Sequence, residues 1–350
     1  MNETLPPIYQ EPTTIGDTYR QAYTDGVARF IAEMNIACKD ARRARFSPKD
    51  LVENAEKYRT QLKAMLGIDL FAHTERTVKK EYVGKDSLAS IYRLTVTVMG
   101  VIPFYALLMI PHERNASTPL VIAQHGGGGT PELCSDFYGK NNYNGMVKRV
   151  LSRGCAVLAP QLMLWAQQES ETQRAHPVAY SRREIDRDLK RFGASVTALE
   201  IFCIQRTLDY LLEEEGFDES RVGMMGISYG GYFTLHTMAV DTRIRSGYCA
   251  AVFNDRDRFC FSDWGYAGSA NAFQDAEVAA LCAPRHLFVQ VGKEDSVFDY
   301  RSAVEEAKRV PDYFDALGAS DRFRFSLWEG GHTISDSDEG LDFFLTPLFD

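Results

Sequence analysis

The stretch from Arg221 to Tyr232 limits this chain to few folds, because it has the pattern of a buried strand, a sharp turn and a helix. A short run of apolar residues precedes the turn, which is typical of a strand that is buried on both faces. Ser228 stands at the turn within Gly-x-Ser-x-Gly, and the two glycines leave room for neighbouring backbone. The pattern predicts that the Ser228 hydroxyl stands at the top of a sheet, beside unpaired helix N–H groups.

Strand-like and helix-like patterns alternate through the chain beyond residue 76. Three strands rich in β-branched and aromatic residues come first and are expected to be antiparallel; they cover 77–83, 91–99 and 101–110. Short apolar strands separated by helices follow, at 120–123, 155–160, 222–227, 244–253, 286–291 and 322–327. The alternation predicts an α/β protein with a doubly wound, mostly parallel sheet.

The first 75 residues have a helical pattern and are interpreted as an N-terminal extension that packs on the main domain. Apolar residues recur at helix spacing over 17–38, and Ser47 followed by Pro48 is typical of a helix start. We therefore divide the chain into a helical extension, 1–75, and a main domain, 76–350. Two long polar excursions, at about 161–192 and 254–283, are expected to form a lid or a pocket wall.

The overall charge and the cysteine pattern limit the expected partners and cellular location of the protein. A net charge of −9 over 350 residues argues against nucleic acid or an anionic membrane surface as a partner. The sequence has no apolar run of about 18 residues and no apolar signal region near its start, so we expect no membrane span and no secretion. Seven scattered cysteines without a Cys-x-x-Cys motif favour a reduced, cytoplasmic setting. Self-association through the N-terminal helices is a further expectation.

Four predicted strand ends carry residues that suggest chemistry, and parallel strands bring such ends to one edge of a sheet. They are His125-Gly126-Gly127, Ser228, Asp295 and His332. A serine hydroxyl is a poor nucleophile until a base takes its proton, and an imidazole has a pKa suited to that task. A carboxylate can fix the imidazole tautomer and stabilise the imidazolium. These residue types together predict acyl transfer.

Each of these assignments has an alternative. Asp295 competes with Glu294 and Asp299, but it lies just past the strand end, whereas Asp299 is already entering the next helix. His125 is interpreted as a structural hydrogen-bonding residue beside the glycine run, not as the base. Other histidines lack metal-ligand spacing with carboxylates, so no metal and no other cofactor are predicted.

The chain resembles the α/β-hydrolase superfamily, and more narrowly its acetyl-xylan-esterase-like and dienelactone-hydrolase-like members. The resemblance covers about residues 77–350 and rests on the glycine run after His125, the turn at Ser228, and Gly330-Gly331-His332. The chain order Ser228, Asp295, His332 is the order of that superfamily. The resemblance implies a serine nucleophile, an aspartate, and a histidine base in those places. It also implies an oxyanion hole formed by backbone N–H groups of Tyr229 and of Gly126 or Gly127.

Aromatic and basic residues in the excursions, or directly before one, are candidates for substrate contact. They are Trp165, Phe253, Trp264 and Arg256. For the aromatic residues core packing is an equal alternative, and for Arg256 a surface ion pair is the alternative. Tyr229, next to the serine, is also expected to wall the pocket.

These observations predict a serine hydrolase that cleaves a small carboxylic ester through an acyl-enzyme. An acetylated sugar is a substrate that only the resemblance suggests. The alternatives are a peptidase or thioesterase of the same fold and a non-catalytic ligand-binding homologue.

Overall fold

The computed structural model describes residues 8–72, 74–139, 141–164 and 181–350. Within those ranges, the helices are too short or too polar for any of them to cross a membrane. The cytoplasmic location stays a prediction.

A single nine-stranded sheet runs through the described residues. Its strands are β1 (Thr77–Lys85), β2 (Ala89–Val98), β3 (Ile102–Pro111), β4 (Leu120–Gln124), β5 (Ala156–Pro160), β6 (Val222–Ile227), β7 (Ile244–Ala250), β8 (His286–Gly292) and β9 (Phe323–Trp328). Their spatial order is β1-β2-β3-β5-β4-β6-β7-β8-β9. β1, β2, β3 and β5 pair antiparallel in that order, and every pair from β5 to β9 is parallel. The predicted α/β class and mostly parallel sheet are confirmed.

Helices cover both faces of the sheet. The described α-helices are α1 (Asp17–Arg45), α2 (Pro48–Leu66), α3 (Pro131–Cys134), α4 (Met146–Ser152), α5 (Arg182–Lys190), α6 (Val196–Glu213), α7 (Tyr229–Val240), α8 (Ser269–Ala272), α9 (Asp275–Ala280), α10 (Tyr300–Ala307), α11 (Val310–Asp315) and α12 (Glu339–Phe349). The side chains of the central strand β4 point alternately into two hydrophobic cores, one on each face of the sheet. Leu120 and Ile122 pack in the core under α2, α6 and α7, and Val121 and Ala123 pack in the core under α4 and α12. Burial on both faces explains why β4 has no polar alternation.

The N-terminal extension begins with two helices that differ in burial. The Ser47 side chain accepts a hydrogen bond from the Asp50 N–H, and Gly67 ends α2 in the left-handed conformation, as the sequence predicts. Leu51, Leu62 and other α2 side chains belong to the same hydrophobic core as α6 and α7. α1 is longer than the predicted 17–38, and its first half is exposed.

One segment with the pattern of a single helix forms two helices in the structure. The sequence over 302–317 has the pattern of one helix, but the structure has two helices there, α10 and α11, with a break before Val310. Pro311 occupies the first turn of α11. Because proline lacks an N–H and clashes with the preceding turn, it begins a helix readily but does not sit inside one.

Candidate active site

The turn between β6 and α7 holds Ser228 in a strained conformation. Ser228 has φ 56° and ψ −119°, a region that residues with a side chain rarely enter. Its N–H donates to the Ala250 carbonyl at 2.8 Å. A Cβ on Gly226 would lie 2.5 Å from the Gly230 carbonyl carbon, and one on Gly230 would lie 2.1 Å from the Gln124 carbonyl oxygen. Neither position can hold a side chain, so the predicted sharp turn is confirmed.

Asp295, past the end of β8, is hydrogen-bonded to His332, past the end of β9. His332 Nδ1 lies 2.9 Å from Asp295 Oδ2, and the N–H groups of Val297 and Phe298 donate to Asp295 Oδ1 at 2.8 and 3.0 Å. Burial raises the pKa of the Asp295 carboxyl, but these hydrogen bonds outweigh it and hold the pKa below its ordinary value. The ionised carboxylate accepts from Nδ1–H, which leaves the Nε2 lone pair of His332 available as a base.

The two competing carboxylates have other surroundings. Glu294 is exposed to solvent. Asp299 caps α10, where its side chain accepts from the Arg301 N–H at 3.0 Å. Among the three acidic candidates, the hydrogen bond to His332 is therefore made by Asp295.

Ser228 and His332 line the same cavity, which has a volume of about 250 Å³. The glycine run Gly126 to Gly129 and the Tyr229 side chain form further parts of its wall. The rest of the lining comprises Leu133, Asn141, Asn142, Tyr143, Ile227, Phe261 and Val297. The lining thus contains no Lys, Arg, Asp or Glu from the described residues.

The N–H groups of the glycine run differ in what they bind. The Gly126 N–H donates to the Tyr143 hydroxyl at 3.0 Å, and the Gly128 N–H donates to the Leu164 carbonyl at 2.6 Å. Within residues 8–72, 74–139, 141–164 and 181–350, the N–H groups of Gly127 and Tyr229 have no hydrogen-bond partner. Of the two glycines predicted to supply a donor, Gly127 is therefore the one whose N–H is unoccupied.

His125 supports this loop from behind. The Leu162 N–H donates to His125 Nε2 at 3.0 Å, so Nδ1 carries the proton and donates to the Gly126 carbonyl at 2.8 Å. Burial, with a smaller contribution from the positive Arg182, lowers the pKa of His125 to about 4. A neutral histidine with both nitrogens occupied fits the predicted structural role.

A buried ionic network holds Tyr229 in place. The Tyr229 hydroxyl donates to Asp263 Oδ1 at 2.9 Å, and Arg182 Nε lies 2.6 Å from Asp263 Oδ2. Arg182 Nη1 is also 2.8 Å from Glu200, whose carboxylate accepts from the Met163 N–H at 2.7 Å. The network ties the start of α5 and the second excursion to the residue that follows Ser228.

The residues predicted to contact substrate are not gathered at this cavity. Phe253 is fully buried and packs in the core. Its side chain therefore has no access to the open cavity. Trp264 is buried with its ring 5.0 Å from the Tyr229 ring, so it supports Tyr229 from behind. Arg256 pairs with Asp275 at 2.8 Å and lines another cavity, of about 190 Å³, together with Trp264. Trp165 lies outside the described residues.

Sequence reasoning missed Tyr143, Arg182 and Asp263. Tyr143 lies in an irregular segment before α4, and the two charged residues lie in the excursions. Neither periodicity nor a motif marks such positions. A tyrosine among three asparagines, at 141–144, was the only local signal of a turn beside the glycine run.

No metal centre is evident in the part of the chain that the structure describes. It contains no group of three or more His, Cys, Asp or Glu residues that could hold an ion. The absence of a cofactor stays a prediction.

Comparison with known proteins agrees with this architecture. No family model matches the chain. A Bacillus subtilis (strain 168) protein, "Putative hydrolase YtaP", is 26% identical over 161 residues, which is 43% of this chain. The match covers 52% of that relative, so the chain aligns with about half of its length.

Solved esterase structures superpose over most of the chain. Methylesterase BT1017 has a TM-score of 0.66 at 17% identity and covers 92% of this chain and 67% of its own. The glucuronoyl esterase from Solibacter usitatus has a TM-score of 0.60 at 14% identity, covering 83% of this chain and 92% of its own. Acetyl xylan esterase 1 from Thermoanaerobacterium sp. JW/SL YS485 has a TM-score of 0.53 at 17% identity, covering 90% and 98%. The chain has the α/β-hydrolase fold.

Proposed function

We propose that this protein is a serine hydrolase that cleaves a carboxylic ester through an acyl-enzyme intermediate. The observation that carries the proposal is that Ser228 and His332 line one cavity, while His332 Nδ1 is held 2.9 Å from Asp295 Oδ2. A nucleophile, a base and a carboxylate that orients the base are the parts that acyl transfer requires.

In this mechanism the Ser228 hydroxyl attacks the ester carbonyl as His332 Nε2 takes its proton. The histidine then passes that proton to the departing alcohol, and the same pair activates water to release the acid. Asp295 keeps Nδ1 protonated and stabilises the imidazolium without itself taking the proton. The hydrogen bonds that keep the pKa of Asp295 low support this role.

The oxyanion that forms on the carbonyl oxygen needs preorganised donors. We assign the N–H groups of Tyr229 and Gly127, because they have no partner within the described ranges and their residues line the cavity. Each such donor contributes roughly 3–4 kcal/mol to stabilising the transition state. The Gly126 N–H is excluded from this role by its bond to Tyr143.

Tyr143 has a positioning role in this scheme. Its hydroxyl accepts from the Gly126 N–H, so its own proton is free to point towards the cavity that it lines. Burial raises the pKa of Tyr143, with the Gly126 hydrogen bond acting in the opposite direction, so the hydroxyl stays protonated. It holds the glycine loop and offers a neutral donor near the reacting carbonyl.

An uncharged ester of a carbohydrate is the substrate class that we propose. Among the described residues the cavity lining holds no Lys, Arg, Asp or Glu, which suits a substrate without charge. Solved structures similar in fold include acetyl xylan, glucuronoyl and methyl esterases by name.

Labelling with a fluorophosphonate tests the mechanism. We expect one adduct, mapped to Ser228 by peptide mass spectrometry and absent in Ser228→Ala, with both proteins equally folded by circular dichroism. No adduct in the folded wild-type chain would overturn the proposal and favour a non-catalytic ligand-binding protein.

A substrate panel then tests the class of bond. Acetylated sugars, uronic acid methyl esters, a thioester and a peptide anilide are compared by kcat/KM. Preference for the thioester or the anilide would contradict the carbohydrate ester assignment while leaving the Ser228 mechanism intact.

A further inference from the structure

The first part of α1 is exposed to solvent, whereas its end packs on the main domain. α1 has 29 residues, and its buried residues are Cys38 and Arg42, near its end. At that end Lys39 pairs with Asp255 at 2.7 Å and Arg42 with Glu277 at 3.2 Å, which fixes the helix to the main domain. From Asp17 to Met34 no residue is buried.

This exposed part carries a continuous apolar stripe. Its members are large side chains on one side of the helix: Tyr19 (77% exposed), Tyr23 (77%), Val27 (41%), Phe30 (61%) and Met34 (44%). Steps of three and four residues place them on one face, since an α-helix has 3.6 residues per turn. The opposite face carries polar or small residues, namely Gln21, Asp25, Ala28 and Ala32.

An apolar stripe of this kind on an isolated helix is unfavourable in water. A single helix of about 18 residues is only marginally stable by itself and is normally stabilised by packing of its apolar face. Exposed aromatic side chains that form a contiguous patch mark an interaction surface. The segment therefore needs a partner.

We propose that the partner is a second copy of this chain, bound antiparallel through the same stripe. A two-fold axis between Gly26 and Val27 places Tyr23 of one copy opposite Phe30 of the other, because their positions are equally far from the axis. The same axis sets Tyr19 opposite Met34 and Val27 opposite Gly26. The first pair is aromatic on both sides, and the second places the Met34 sulfur near the Tyr19 ring. In the third, the branched Val27 side chain lies over Gly26, which has no side chain.

The area available is sufficient for such a pair. Tyr19, Tyr23 and Phe30 are 77%, 77% and 61% exposed, and each aromatic side chain can bury about 150–250 Å². With Val27 and Met34, the two copies together would bury about 1,000 Å², the lower limit for a specific interface. An isologous contact also needs only one surface, which each copy supplies to the other.

The charges favour a second copy over a lipid surface. Between Asp17 and Met34 the ionised side chains are Arg20 and Arg29 against Asp17, Asp25 and Glu33. Helices that lie on membranes carry a basic polar face, which the segment from Asp17 to Met34 lacks. The nearly balanced charge lets two identical helices approach with little repulsion.

The mass of the full chain in solution tests the pairing. By light scattering at micromolar concentration, we expect wild type at twice the chain mass of 39.4 kDa, and Tyr23→Glu/Phe30→Glu at 39.4 kDa. Ala28→Glu/Ala32→Glu adds the same charge on the opposite face and should remain dimeric. A monomeric wild type, or equal dissociation of both variants, would overturn the proposal. Ester hydrolysis should be the same in both variants, because none of the stripe residues lines the cavity at Ser228.

Cross-linking tests the orientation. In a Cys260→Ser background, which removes the exposed native thiol, Val27→Cys should be joined to its counterpart by a short bis-maleimide reagent. Tyr19→Cys should not, since antiparallel pairing sets the two copies of this residue about 22 Å apart along the helices. Cross-linking of Tyr19→Cys as readily as Val27→Cys would mean a parallel pair and contradict the inference.

Discussion

His332 Nδ1 lies 2.9 Å from Asp295 Oδ2, although the two residues are 37 positions apart in the chain. The contact arises because β8 and β9 are parallel neighbours whose loops leave the sheet at the same edge. The Glu294 N–H donates to the Gly330 carbonyl at 2.9 Å, and the Lys293 N–H to the Trp328 carbonyl at 2.9 Å, so the two loops are joined by backbone as well. The aspartate orients a histidine that the backbone already holds close.

Asp295→Asn should lower kcat by about four orders of magnitude, because the amide favours the wrong tautomer of His332. Glu294→Gln is the matched control, since Glu294 is adjacent but exposed, and it should keep wild-type activity. Steady-state kinetics on an acetyl ester measures both. Equal activity of the two variants would remove Asp295 from the mechanism.

Tyr143→Phe should lower kcat roughly tenfold, with little change in KM, because the Gly126 N–H loses its acceptor and the glycine loop loses its support. Tyr138→Phe serves as control, since Tyr138 is 57% exposed. Thermal melting of both variants separates a loss of positioning from a loss of folding. An unchanged kcat in Tyr143→Phe would show that the loop needs no hydroxyl.

Arg182→Met should destabilise the protein by about 3–5 kcal/mol, because it leaves two buried carboxylates, Asp263 and Glu200, without their cation. Activity should also fall, since Tyr229 is held through Asp263. Arg191→Met removes an arginine whose side chain is 75% exposed and should be neutral. Urea unfolding of the two variants measures the difference, and similar midpoints would contradict the prediction.

Gly230→Ala should prevent correct folding, because its Cβ would lie 2.1 Å from the Gln124 carbonyl oxygen. Gly84→Ala is the comparison, as a Cβ there meets no atom within 4 Å. The yield of soluble protein and the melting temperature report the outcome. A Gly230→Ala protein with native stability would mean that β4 and the turn at Ser228 are not packed this closely.

The contribution of Glu306 to stability should fall as the pH rises from about 4.5 to 7. Burial and the nearby Glu277 raise the pKa of Glu306 from its ordinary 4.5 to about 7, with Arg309 acting in the opposite direction. Across that range the folded state binds the proton more strongly than the unfolded state, so raising the pH favours unfolding.

Glu306→Gln should remove this contribution and melt at a higher temperature than wild type at pH 8. The amide oxygen can still accept from the Ala276 N–H, which Glu306 binds at 3.1 Å. Glu305→Gln, on the exposed side of the same helix, is the control. Melting curves at pH 5 and pH 8 that differ equally in all three proteins would refute the assignment.

The amino-acid pattern alone determined the sheet and the positions of Ser228, Asp295 and His332 in it. These features are local: a buried strand needs a short apolar run, and a residue just past a strand end reaches the edge of a parallel sheet whatever lies elsewhere. For the same reason the start of α2 at Ser47 was predictable, since a helix cap depends on neighbouring residues.

Only the tertiary structure decided which partners those residues have. The bond from Gly126 to Tyr143 and the pairing of Arg182 with Asp263 join segments that are far apart in the chain. Phe253 and Trp264 show the same limit, because an aromatic residue in an excursion can face a pocket or the core. Side-chain direction depends on how whole elements pack, and periodicity does not encode it for irregular segments.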